Sequence, residues 1–379
     1  MMQASDVIGG AALGLALVAV GYQFFAVATL AWFFARPTPR AAAGPPVSLL
    51  KPLHGAEPRL AENLATFLAQ DWPGKVQMVC GVGAPDDPAL KVAAGLAAQH
   101  PEVTLHPGPR LAYANAKVGN LAAMLGKATG EVLILSDSDI AVGPHYLSVV
   151  LGALAQPGVG AVSCLYVGRG DAGLWSRVGA AALSWWAMPN MVVGLSTGAA
   201  RPCMGSTIAL RRDTLEAIGG FAAFADVLAD DHAIGAAVAR LGQSVAVPPM
   251  LVTHADAESS LGELWSHHLR WAVTVRELAP WGHAGSLITH ALPLALLAAL
   301  LHPLGPCVLV AALAARLIMA RMVNRLAGRP CAPIWLLPLA DFLNFGTFIA
   351  ALVARTIDWR GTSLTMTGKG HIAPTLKAD

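Results

Sequence analysis

Long stretches without a charged side chain constrain this chain more than any other feature of its sequence. Residues 7–35 contain no Asp, Glu, Lys or Arg, whereas Asp6 precedes them and Arg36 follows them. A helix of about 20 apolar residues is long enough to cross the hydrocarbon core of a bilayer. The stretch is too long for a signal-peptide core, has no basic start and ends without a clear small-residue cleavage site. It therefore predicts a retained N-terminal anchor over residues 1–36.

Two further apolar stretches lie in the C-terminal third of the chain. Residues 278–315 are uncharged but are interrupted around Pro303 and Pro306, which predicts two helices joined by a tight hairpin. Residues 334–354 form another apolar run that contains Asp341 and Asn344. Only 13% of the chain is charged and its mean hydropathy is +0.56, which excludes an ordinary soluble enzyme. We expect transmembrane or interfacial helices over residues 278–356 and a tail over residues 357–379.

The basic residues follow the ends of the apolar stretches. The net charge is only +2 and no basic stripe is present, so the sequence argues against nucleic-acid binding. Because positive residues favour the cytoplasmic side, the central region is predicted to be cytoplasmic, between two basic groups. These groups are Arg36, Arg40 and Lys51 on one side, and Arg316, Arg321, Arg325 and Arg329 on the other.

The same charge rule conflicts with a complete crossing by residues 334–354. Such a crossing would place the basic residues that follow it outside the cytoplasm, namely Arg355, Arg360, Lys369 and Lys377. Either the segment is re-entrant or interfacial, or the rule fails there.

Residues 46–277 have the pattern of a folded α/β domain, in which apolar runs of strand length alternate with amphipathic helical stretches. Strands are predicted at residues 47–50, 76–82, 103–106, 132–136, 160–166, 206–210 and 244–252. Helices are predicted at residues 58–69, 88–99, 118–127, 144–154, 212–218, 232–241 and 261–277. This alternation predicts a mostly parallel sheet with helices on both faces and a ligand crevice at the carboxyl ends of the strands.

Another uncharged stretch, residues 178–200, lies inside this domain. A single crossing there would separate Asp137 from Asp230 and Asp231 by the bilayer. We therefore predict that the segment 172–200 lies along the membrane interface, where amphipathic aromatic rings such as Trp175, Trp185 and Trp186 are favoured. The alternative is a buried core helix.

The triplet Asp137, Ser138 and Asp139 directly follows the apolar run 132–136. Carboxylates at the carboxyl end of a buried strand lie where an α/β sheet binds its ligand, and they supply the oxygen ligands that a hard divalent cation prefers. A solvated turn after a strand is the alternative interpretation. Two further aspartates follow strand 76–82, at Asp86 and Asp87.

Asp230 and Asp231 precede a predicted helix. One interpretation is that they cap its N-terminus. The other is that one of them is a general base, which takes the proton from an attacking hydroxyl. The two roles are compatible because one aspartate can cap while the other faces the crevice.

The helix over residues 261–277 carries His267, Arg270 and Trp271 at positions i, i+3 and i+4, hence on one face. It starts with a capping-box pattern, Ser260 and Glu263. Such a face suits a helix lying on a membrane surface. If it points at the crevice instead, the Arg270 guanidinium suits a diphosphate and the Trp271 ring suits the wall of a sugar site.

Taken together, these motifs resemble the ceramide glucosyltransferase family, which comprises inverting glycosyltransferases of the GT-A fold with a membrane anchor at each end. The motifs that carry the resemblance are Lys51-Pro52-Leu53-His54-Gly55, Asp86-Asp87-Pro88-Ala89, Asn115-Ala116-Lys117, Ser136-Asp137-Ser138-Asp139, Met204-Gly205-Ser206, Gly219-Gly220-Phe221, Ala229-Asp230-Asp231 and His267-His268-Leu269-Arg270-Trp271. They span nearly the whole chain, in order and with similar spacing.

The resemblance implies a role for each matching position. Asp86 or Asp87 would contact uridine, Lys117 the nucleotide, and Asp137 with Asp139 a diphosphate-bound Mg²⁺ or Mn²⁺. Asp231, beside Asp230, would be the base, while Arg270 and Trp271, with His267, would close over diphosphate and sugar. We further assign Gly205, Ser206, Trp185 and Trp186 to the donor and acceptor pocket.

Two departures bear on the substrate. His267 stands where the family has Gln or Arg, and Asp139 is present where animal ceramide enzymes have only the first aspartate. The second departure, with Gly173-Leu174-Trp175-Ser176-Arg177 and the segment Ser136 to Ile140, resembles bacterial members more closely, including hopanoid-associated glycosyltransferases. The implied acceptor is ceramide or a hopanoid such as bacteriohopanetetrol.

The sequence thus predicts an inverting enzyme that moves glucose or N-acetylglucosamine from a UDP-sugar to a lipid hydroxyl. Its expected location is the inner membrane, as a multi-pass protein with a cytoplasmic catalytic domain. A processive polysaccharide synthase shares the carboxylates and the Arg-Trp element, but three or four spans are few for a polymer channel. A silent nucleotide-sugar-binding scaffold would be expected to have lost the acidic positions.

Overall fold

The computed structural model describes residues 4–201, 203–354, 356–359, 362–368 and 371–374. Its strands are β1 (Val47–Leu53), β2 (Val76–Val82), β3 (Val103–His106), β4 (Val132–Leu135), β5 (Ile140–Ala141), β6 (Val159–Ser163), β7 (Leu165–Gly170), β8 (Ile208–Arg211), β9 (Ser244–Ala246), β10 (Leu251–Asp256), β11 (Thr356–Trp359), β12 (Thr362–Gly368) and β13 (His371–Pro374).

The α-helices are α1 (Ala4–Phe34), α2 (Leu60–Leu68), α3 (Pro88–Ala97), α4 (Ala116–Met124), α5 (Tyr146–Leu154), α6 (Leu174–Ala182), α7 (Met188–Thr197), α8 (Arg212–Ala217), α9 (Asp230–Arg240), α10 (Leu261–Leu278), α11 (Pro280–Gly285), α12 (Ala291–Leu301), α13 (Gly305–Leu326) and α14 (Leu337–Ala351). A π-helical turn, Leu183–Ala187, joins α6 to α7. Short 3₁₀ turns occur at Leu125–Lys127, Phe221–Phe224, Ser286–Thr289 and Ile334–Leu336.

The main sheet has seven strands in the order β3-β2-β1-β4-β8-β6-β9. Strands β1 to β4 are parallel, whereas β8 is antiparallel to both β4 and β6. All four residues of β4 are buried, as expected for a strand covered on both faces. The prediction of a mixed α/β fold with a mostly parallel sheet is confirmed.

The register of the sheet brings distant segments to one edge. Leu50 of β1 and Ile208 of β8 both lie opposite Leu135, the last residue of β4. Because β8 runs against β4, the residues that precede Ile208 lie at the same edge as the residues that follow Leu135. The segments 136–139 and 205–207 therefore meet there.

Two predicted strands are each divided between two sheets. The run 160–166 is split into β6 and β7, and the run 244–252 into β9 and β10. Strands β7 and β10 pair with each other and with β5 in a second sheet of order β5-β10-β7. Pro248 and Pro249 separate β9 from β10 because proline supplies no N–H to a strand ladder. Beside the break between β6 and β7, the Ser163 hydroxyl donates to the Met204 carbonyl and the Ser206 hydroxyl donates to the Cys164 carbonyl.

Several helices are long and apolar enough to cross a membrane. By length and composition, the described residues contain four: Asp6–Phe34, Leu174–Thr197, Gly305–Leu326 and Ile334–Ala351. A fifth is possible if Pro280–Thr289 and Ala291–Leu301, which are bent by 60° at a short break, form one broken span. The predicted hairpin is confirmed, since α12 ends at Leu301 and α13 begins at Gly305.

The segment Leu174–Thr197 packs inside the protein. It contacts α1, α14 and β7, and 67% of its most apolar window is buried. This burial agrees with the core-helix alternative for that segment.

A buried ion pair ties the apolar helices together. The Arg316 guanidinium donates two hydrogen bonds to Asp341, at 2.7 and 2.6 Å. It also donates to the Gln23 side chain at 3.2 Å and to the Trp185 carbonyl at 2.7 Å. Arg316 is only 2% exposed, so it lies inside the helix bundle, unlike the exposed Arg321 on the same helix. A guanidinium on the inward face of α13 is held by its carboxylate rather than by water.

Helices α10 and α14 pack against each other. Near the start of the contact, His268 Nδ1 lies 3.3 Å from Asn344 Oδ1. Near its end, Arg276 donates to the Ala351 carbonyl. The same helix α10 also packs against β11. The end of α14 and the first C-terminal strand therefore lie beside a helix that carries several charged residues.

Candidate functional site

A lysine at the start of α4 brings three segments of the chain together. The Asn115 side chain accepts from the Val118 N–H and thereby caps α4, which fixes Lys117 in the first turn. Lys117 Nζ lies 2.8 Å from Asp137 Oδ1 and 3.4 Å from Asp230 Oδ2. Since Asp137 follows β4 and Asp230 begins α9, one ammonium group joins positions that the sequence keeps far apart.

Asp231 completes this group, which we call the Lys117 cluster: Lys117, Asp137, Gly205, Asp230 and Asp231. One Asp231 oxygen accepts from the Gly205 N–H at 2.9 Å and the other from the His232 N–H at 2.7 Å. The residue before α9, Ala229, makes no side-chain cap, so neither aspartate is the N-cap residue. Asp231 is instead held as a partly exposed carboxylate beside Asp137.

The electrostatics of the Lys117 cluster follow from burial and from unequal charge. Burial raises the pKa of both Asp137 and Asp230, and Lys117 only partly opposes this effect. Burial also disfavours the Lys117 ammonium, but Asp137 and Asp230 outweigh it, so the pKa of Lys117 is raised. The three carboxylates are thus incompletely compensated by one amine.

A second group lies on the other side of the Asp137-Ser138-Asp139 turn. This group, the His254 cluster, consists of Asp139, His254, Asp256, Glu258 and His267. Strand β10 positions His254 so that Nε2 lies 3.3 Å from Asp139 and Nδ1 lies 3.5 Å from Asp256. His267 of α10 pairs with Glu258.

Within the His254 cluster, Asp139 and His254 each favour the ionised form of the other despite their burial. Burial opposes protonation of His254, but Asp139 and Asp256 outweigh it and raise the pKa of the imidazole well above its ordinary value. Burial likewise opposes ionisation of Asp139, yet His254 outweighs it and lowers the pKa of that carboxyl to about 2. A charged pair between Asp139 and His254 is therefore stable in this environment.

A cavity of about 160 Å³ opens beside this cluster. Its walls include Glu57, Asp139, Asp171, His254, Glu258 and His267. Buried Asp139 Oδ1 makes no hydrogen bond to any residue that the structure describes. Within that part of the chain, no three His, Cys, Asp or Glu side chains form a complete ligand set for a metal ion.

The predicted face of α10 is turned toward the His254 cluster. The Trp271 ring lies 4.3 Å from His267 and 6.2 Å from His254, measured between ring centroids. Arg270 on the same face is close enough to His267 to oppose its protonation, although burial is the main cause of the lowered His267 pKa. This placement agrees with the crevice interpretation of the face rather than with a helix lying free on a membrane.

Two groups near the site were not anticipated from sequence. Lys51 is fully buried and donates to Ser136 Oγ and to the Asp137 carbonyl, both at 3.0 Å, while its ammonium lies 3.3 Å from the centre of the Phe67 ring. Burial lowers the pKa of Lys51 to about 7, against the effect of Asp137 and Asp139. Lys51 therefore fixes the Asp137-Ser138-Asp139 turn from inside the protein. Its signal was a lysine inside an otherwise apolar strand.

The His254 and Asp256 pair was the second omission. These residues alternate along β10, so both face the same side of the second sheet. Tyr166 on the neighbouring strand lies 5.9 Å from the His254 ring. An alternating His and Asp at a strand end was the available signal, but the pairing of β10 with β5 and β7 could not be read from it.

Asp86 and Asp87 lie at the end of β2, as predicted, but they differ in environment. Asp87 Oδ1 accepts from the Ala89 N–H, which caps α3, and from the Gly55 N–H, both at 2.9 Å. Its other oxygen lies 3.1 Å from His54 Nδ1. Asp86 is exposed. Asp87 thus fixes the loop after β1, and Asp86 is the freer of the two carboxylates.

Three of the predicted pocket residues are directed elsewhere. Ser206 is buried and its hydroxyl donates to the Cys164 carbonyl at 2.8 Å. Trp185 is 1% exposed and its indole donates to Asn324 of α13, while Trp186 donates to Thr289. The two tryptophans belong to the apolar helix bundle because the π-helical turn points their rings at α13 and at the segment before α12.

Gly205 is the pocket residue that lies in the Lys117 cluster, and it allows a close approach. A Cβ atom there would lie 2.9 Å from Asp137 Oδ2 and 3.2 Å from Lys117 Nζ. We expect Gly205→Ala to push the Asp137 carboxylate away from Lys117. The kcat/KM of the predicted sugar transfer is then expected to fall by about 10²-fold, since displacement of a positioned group by about 1 Å has this cost.

Steady-state kinetics beside thermal unfolding would check the Gly205 prediction. The matched control is Gly126→Ala, where a new Cβ meets nothing within 4 Å. Equal activity of Gly205→Ala and Gly126→Ala would show that the close approach has no functional importance.

Comparison with known proteins identifies the relatives of the chain. The profile of glycosyl transferase family 21 matches residues 11–372. Ceramide glucosyltransferase 3 of Caenorhabditis elegans is 23% identical over 374 residues, which cover 87% of this chain and 74% of the relative. Among solved structures, the mannosyltransferase PcManGT from Pyrobaculum calidifontis, in complex with GDP-Man and Mn²⁺, has a TM-score of 0.52 at 22% identity. That match covers 91% of this chain and 98% of the mannosyltransferase.

These matches agree with the geometry of the site. The family profile extends over both the sheet and the apolar helices, and the solved mannosyltransferase shares the fold. The resemblance noted from the sequence motifs is confirmed. The chain belongs to glycosyl transferase family 21 and is a glycosyltransferase with a GT-A-like fold.

Proposed function

We propose that the chain transfers glucose or N-acetylglucosamine from a UDP-sugar to a hydroxyl group of a membrane lipid, with inversion at the anomeric carbon. One observation carries the proposal. Carboxylates from segments around residues 137 and 230 converge on Lys117 at the carboxyl edge of the parallel sheet, in a chain of this family. The family relationship and the apolar helices favour a lipid acceptor, and ceramide or a polyhydroxylated hopanoid such as bacteriohopanetetrol has suitable chemistry.

The donor is proposed to bind across the two clusters. Lys117 and Arg270 supply positive charge for the nucleotide and its diphosphate, and Trp271 supplies an apolar wall for the sugar. Asp86, the exposed carboxylate after β2, is better available to uridine than Asp87, whose oxygens are already engaged. His267 is held by Glu258 with its ring against Trp271, so it supports the same wall.

A divalent cation fits the residues that are present. Asp139 has an unpaired buried oxygen beside a cavity, and Asp137 is two residues away. The carboxylates of the two clusters outnumber Lys51, Lys117 and His254, so added positive charge is favourable there. We propose that Asp139 and Asp137, with His254 nearby, would hold Mg²⁺ or Mn²⁺ together with the diphosphate. When bound, the cation would offset negative charge on the departing diphosphate.

Asp231 is proposed to act as the general base. Its carboxylate is held by the Gly205 and His232 N–H groups yet remains partly exposed, so it can face an acceptor hydroxyl. It would accept the hydroxyl proton as the lipid oxygen bonds to the anomeric carbon and the bond to UDP breaks. Asp230 is buried against Lys117 and would keep that ammonium in position.

The proposed membrane arrangement keeps the site on the cytoplasmic face of the inner membrane, in a multi-pass protein. Helix α1, α11 with α12, and α13 are taken as the crossing segments. Helix α14 runs beside α10, which carries Glu263, Arg270 and Arg276, so we take α14 as re-entrant or interfacial. This assignment leaves β11 on the cytoplasmic side and removes the conflict between a complete crossing by residues 334–354 and the positive-inside rule.

Mass spectrometry of lipid products tests the proposal. Purified protein in detergent is incubated with ceramide or bacteriohopanetetrol and with labelled UDP-glucose or UDP-N-acetylglucosamine in parallel. We expect one donor and one acceptor to give a lipid that carries a single hexose. A polymeric product would favour a polysaccharide synthase, and the absence of product from every combination would contradict lipid glycosylation.

The same assay tests whether transfer requires a divalent cation. Excess chelator is expected to abolish transfer, and Mn²⁺ or Mg²⁺ added back is expected to restore it, because the diphosphate charge would otherwise be uncompensated. Undiminished transfer in chelator would overturn the metal assignment to Asp137 and Asp139 while leaving the transferase proposal intact.

A further inference from the structure

Unpaired polar atoms lie inside the apolar helix bundle. Both ring nitrogens of His290, Nε2 of His283 and Nδ2 of Asn344 have no hydrogen-bond partner among the residues that the structure describes. The three residues are 2%, 4% and 4% exposed, respectively. A buried polar group without a partner costs about 1–3 kcal/mol. Four such atoms in one bundle indicate a site for a polar ligand, since ionisable or polar residues at membrane depth are commonly functional.

These atoms lie along one side of α14. Asn344 and Phe348 are four residues apart and so lie one above the other on that helix. The Phe348 ring stacks on His283 at 4.7 Å and lies 5.1 Å from His290. His290 in turn stacks on Trp186 at 5.0 Å. We call His283, His290 and Asn344 the polar strip, with Phe348 and Trp186 as its aromatic walls.

The polar strip leads to the His254 cluster. Asn344 Oδ1 lies 3.3 Å from His268 Nδ1, and the His268 ring lies 5.7 Å from Trp271. Trp271 contacts His254 and His267. A molecule that lies along the strip would therefore have one end near the crevice and the other among helices that face lipid.

The chemistry of the polar strip selects a neutral hydroxylated head. Imidazole and amide groups donate and accept hydrogen bonds, as hydroxyl and amide groups of a ligand also do. The buried guanidinium of this bundle, Arg316, is already paired in a two-bond contact with Asp341 and brings no net charge. An anionic phosphate head would thus meet no unpaired cation within the strip.

We propose that the polar strip binds the hydroxyl-bearing head of a neutral lipid acceptor and sets its reacting hydroxyl toward the crevice. This inference rests on the proposed lipid glycosylation and adds to it a binding site and a ligand class. It also gives Trp186 a role in the acceptor pocket, through its stacking on His290 rather than through contact with the donor.

Two substitutions test the site, His290→Phe and His283→Phe. Phenylalanine keeps an aromatic ring against Phe348. At position 290 it removes two unpaired nitrogens, so thermal stability is expected to be equal or higher. At position 283 it removes one unpaired nitrogen but also the hydrogen bond with the Phe348 backbone, so thermal stability is expected to stay near that of the wild type. The KM for ceramide or bacteriohopanetetrol is expected to rise about tenfold, the effect of losing roughly one buried hydrogen bond. The KM for the UDP-sugar is expected to stay unchanged. His302→Phe, at the other end of α12, is the control outside the strip. Its ring accepts from the Leu304 N–H, so a small loss of stability is expected, but the KM values for both substrates should match those of the wild type.

Equilibrium binding without donor separates this inference from the proposed function. Quenching of tryptophan fluorescence is measured with ceramide, bacteriohopanetetrol or phosphatidylglycerol in detergent micelles. If the wild-type enzyme is active and both variants have the same KM for the lipid acceptor as the wild type, the polar strip is refuted as the acceptor site. Loss of neutral-lipid binding in the variants, with no transfer by the wild type, would support the strip but contradict the transferase proposal. If phosphatidylglycerol bound to the wild type as tightly as the neutral lipids and this binding were lost in the variants, the choice of a neutral head would be overturned.

Discussion

Asp231→Asn is expected to lower kcat by about 10²–10⁴-fold, the range that removal of a general base produces. The amide has nearly the shape of the carboxylate, and its one oxygen can still accept from the Gly205 N–H, whereas the bond from the His232 N–H is lost. The amide cannot take up the acceptor proton. Steady-state transfer assays with saturating UDP-sugar and lipid would measure the loss. Donor affinity, measured separately by calorimetry, is expected to remain near that of the wild type because Asp231 is not assigned to the nucleotide.

The control for this variant is Asp213→Asn. Asp213 lies in the first turn of α8 and accepts from the following N–H at 2.6 Å, much as Asp231 does at 2.7 Å. It is exposed and is not part of either cluster, so its activity is expected to match the wild type. Turnover by Asp231→Asn at the level of Asp213→Asn would refute the base assignment.

Arg316→Met is expected to destabilise the protein by about 3–5 kcal/mol, because it leaves the Asp341 carboxylate buried without its partner. The loss would extend beyond one ion pair, since Arg316 also donates to Gln23 and to the Trp185 carbonyl. Thermal or denaturant unfolding of the protein in detergent would measure the difference. The exposed Arg321 on the same helix gives the matched control Arg321→Met, for which a change within about 0.5 kcal/mol is expected.

A double variant distinguishes the pair from the arginine alone. Arg316→Met with Asp341→Leu removes both charges, so no uncompensated carboxylate remains and most of the lost stability is expected to return. If Arg316→Met proved as stable as Arg321→Met, the buried pair would contribute little to the bundle.

Elements with a clear apolar pattern could be predicted from the sequence. The bounds of β2 and β3 agree with the prediction at both ends, and α10 was predicted to within one residue. The position of Asp137 was also predictable, because carboxylates after a buried strand must lie at the carboxyl edge of the sheet. Local pattern was sufficient in these cases since burial on both faces leaves few alternatives for a short apolar run.

Features that depend on pairing could not be predicted in this way. The run that became β6 with β7 looks continuous, and only its distribution between two sheets reveals the break. The run that became β9 with β10 does contain a break signal, Pro248 and Pro249, but the signal does not say that the two halves join different sheets. His254 meets Asp139 through the pairing of β10 with β5, which joins residues over 100 positions apart. The burial of Arg316 could not be predicted either, because the positive-inside rule counts basic residues along the chain and takes no account of the helix face that they occupy.

The contacts of Arg316 also bear on whether the apolar helices can be removed from this enzyme. Its guanidinium reaches partners 293, 131 and 25 residues away in the sequence, on α1, on the π-helical turn and on α14. The turn belongs to the segment that packs on β7, next to the strand that carries His254. The second sheet is therefore covered on that side by apolar helices. Removal of these helices would expose a buried apolar face rather than give a water-soluble domain.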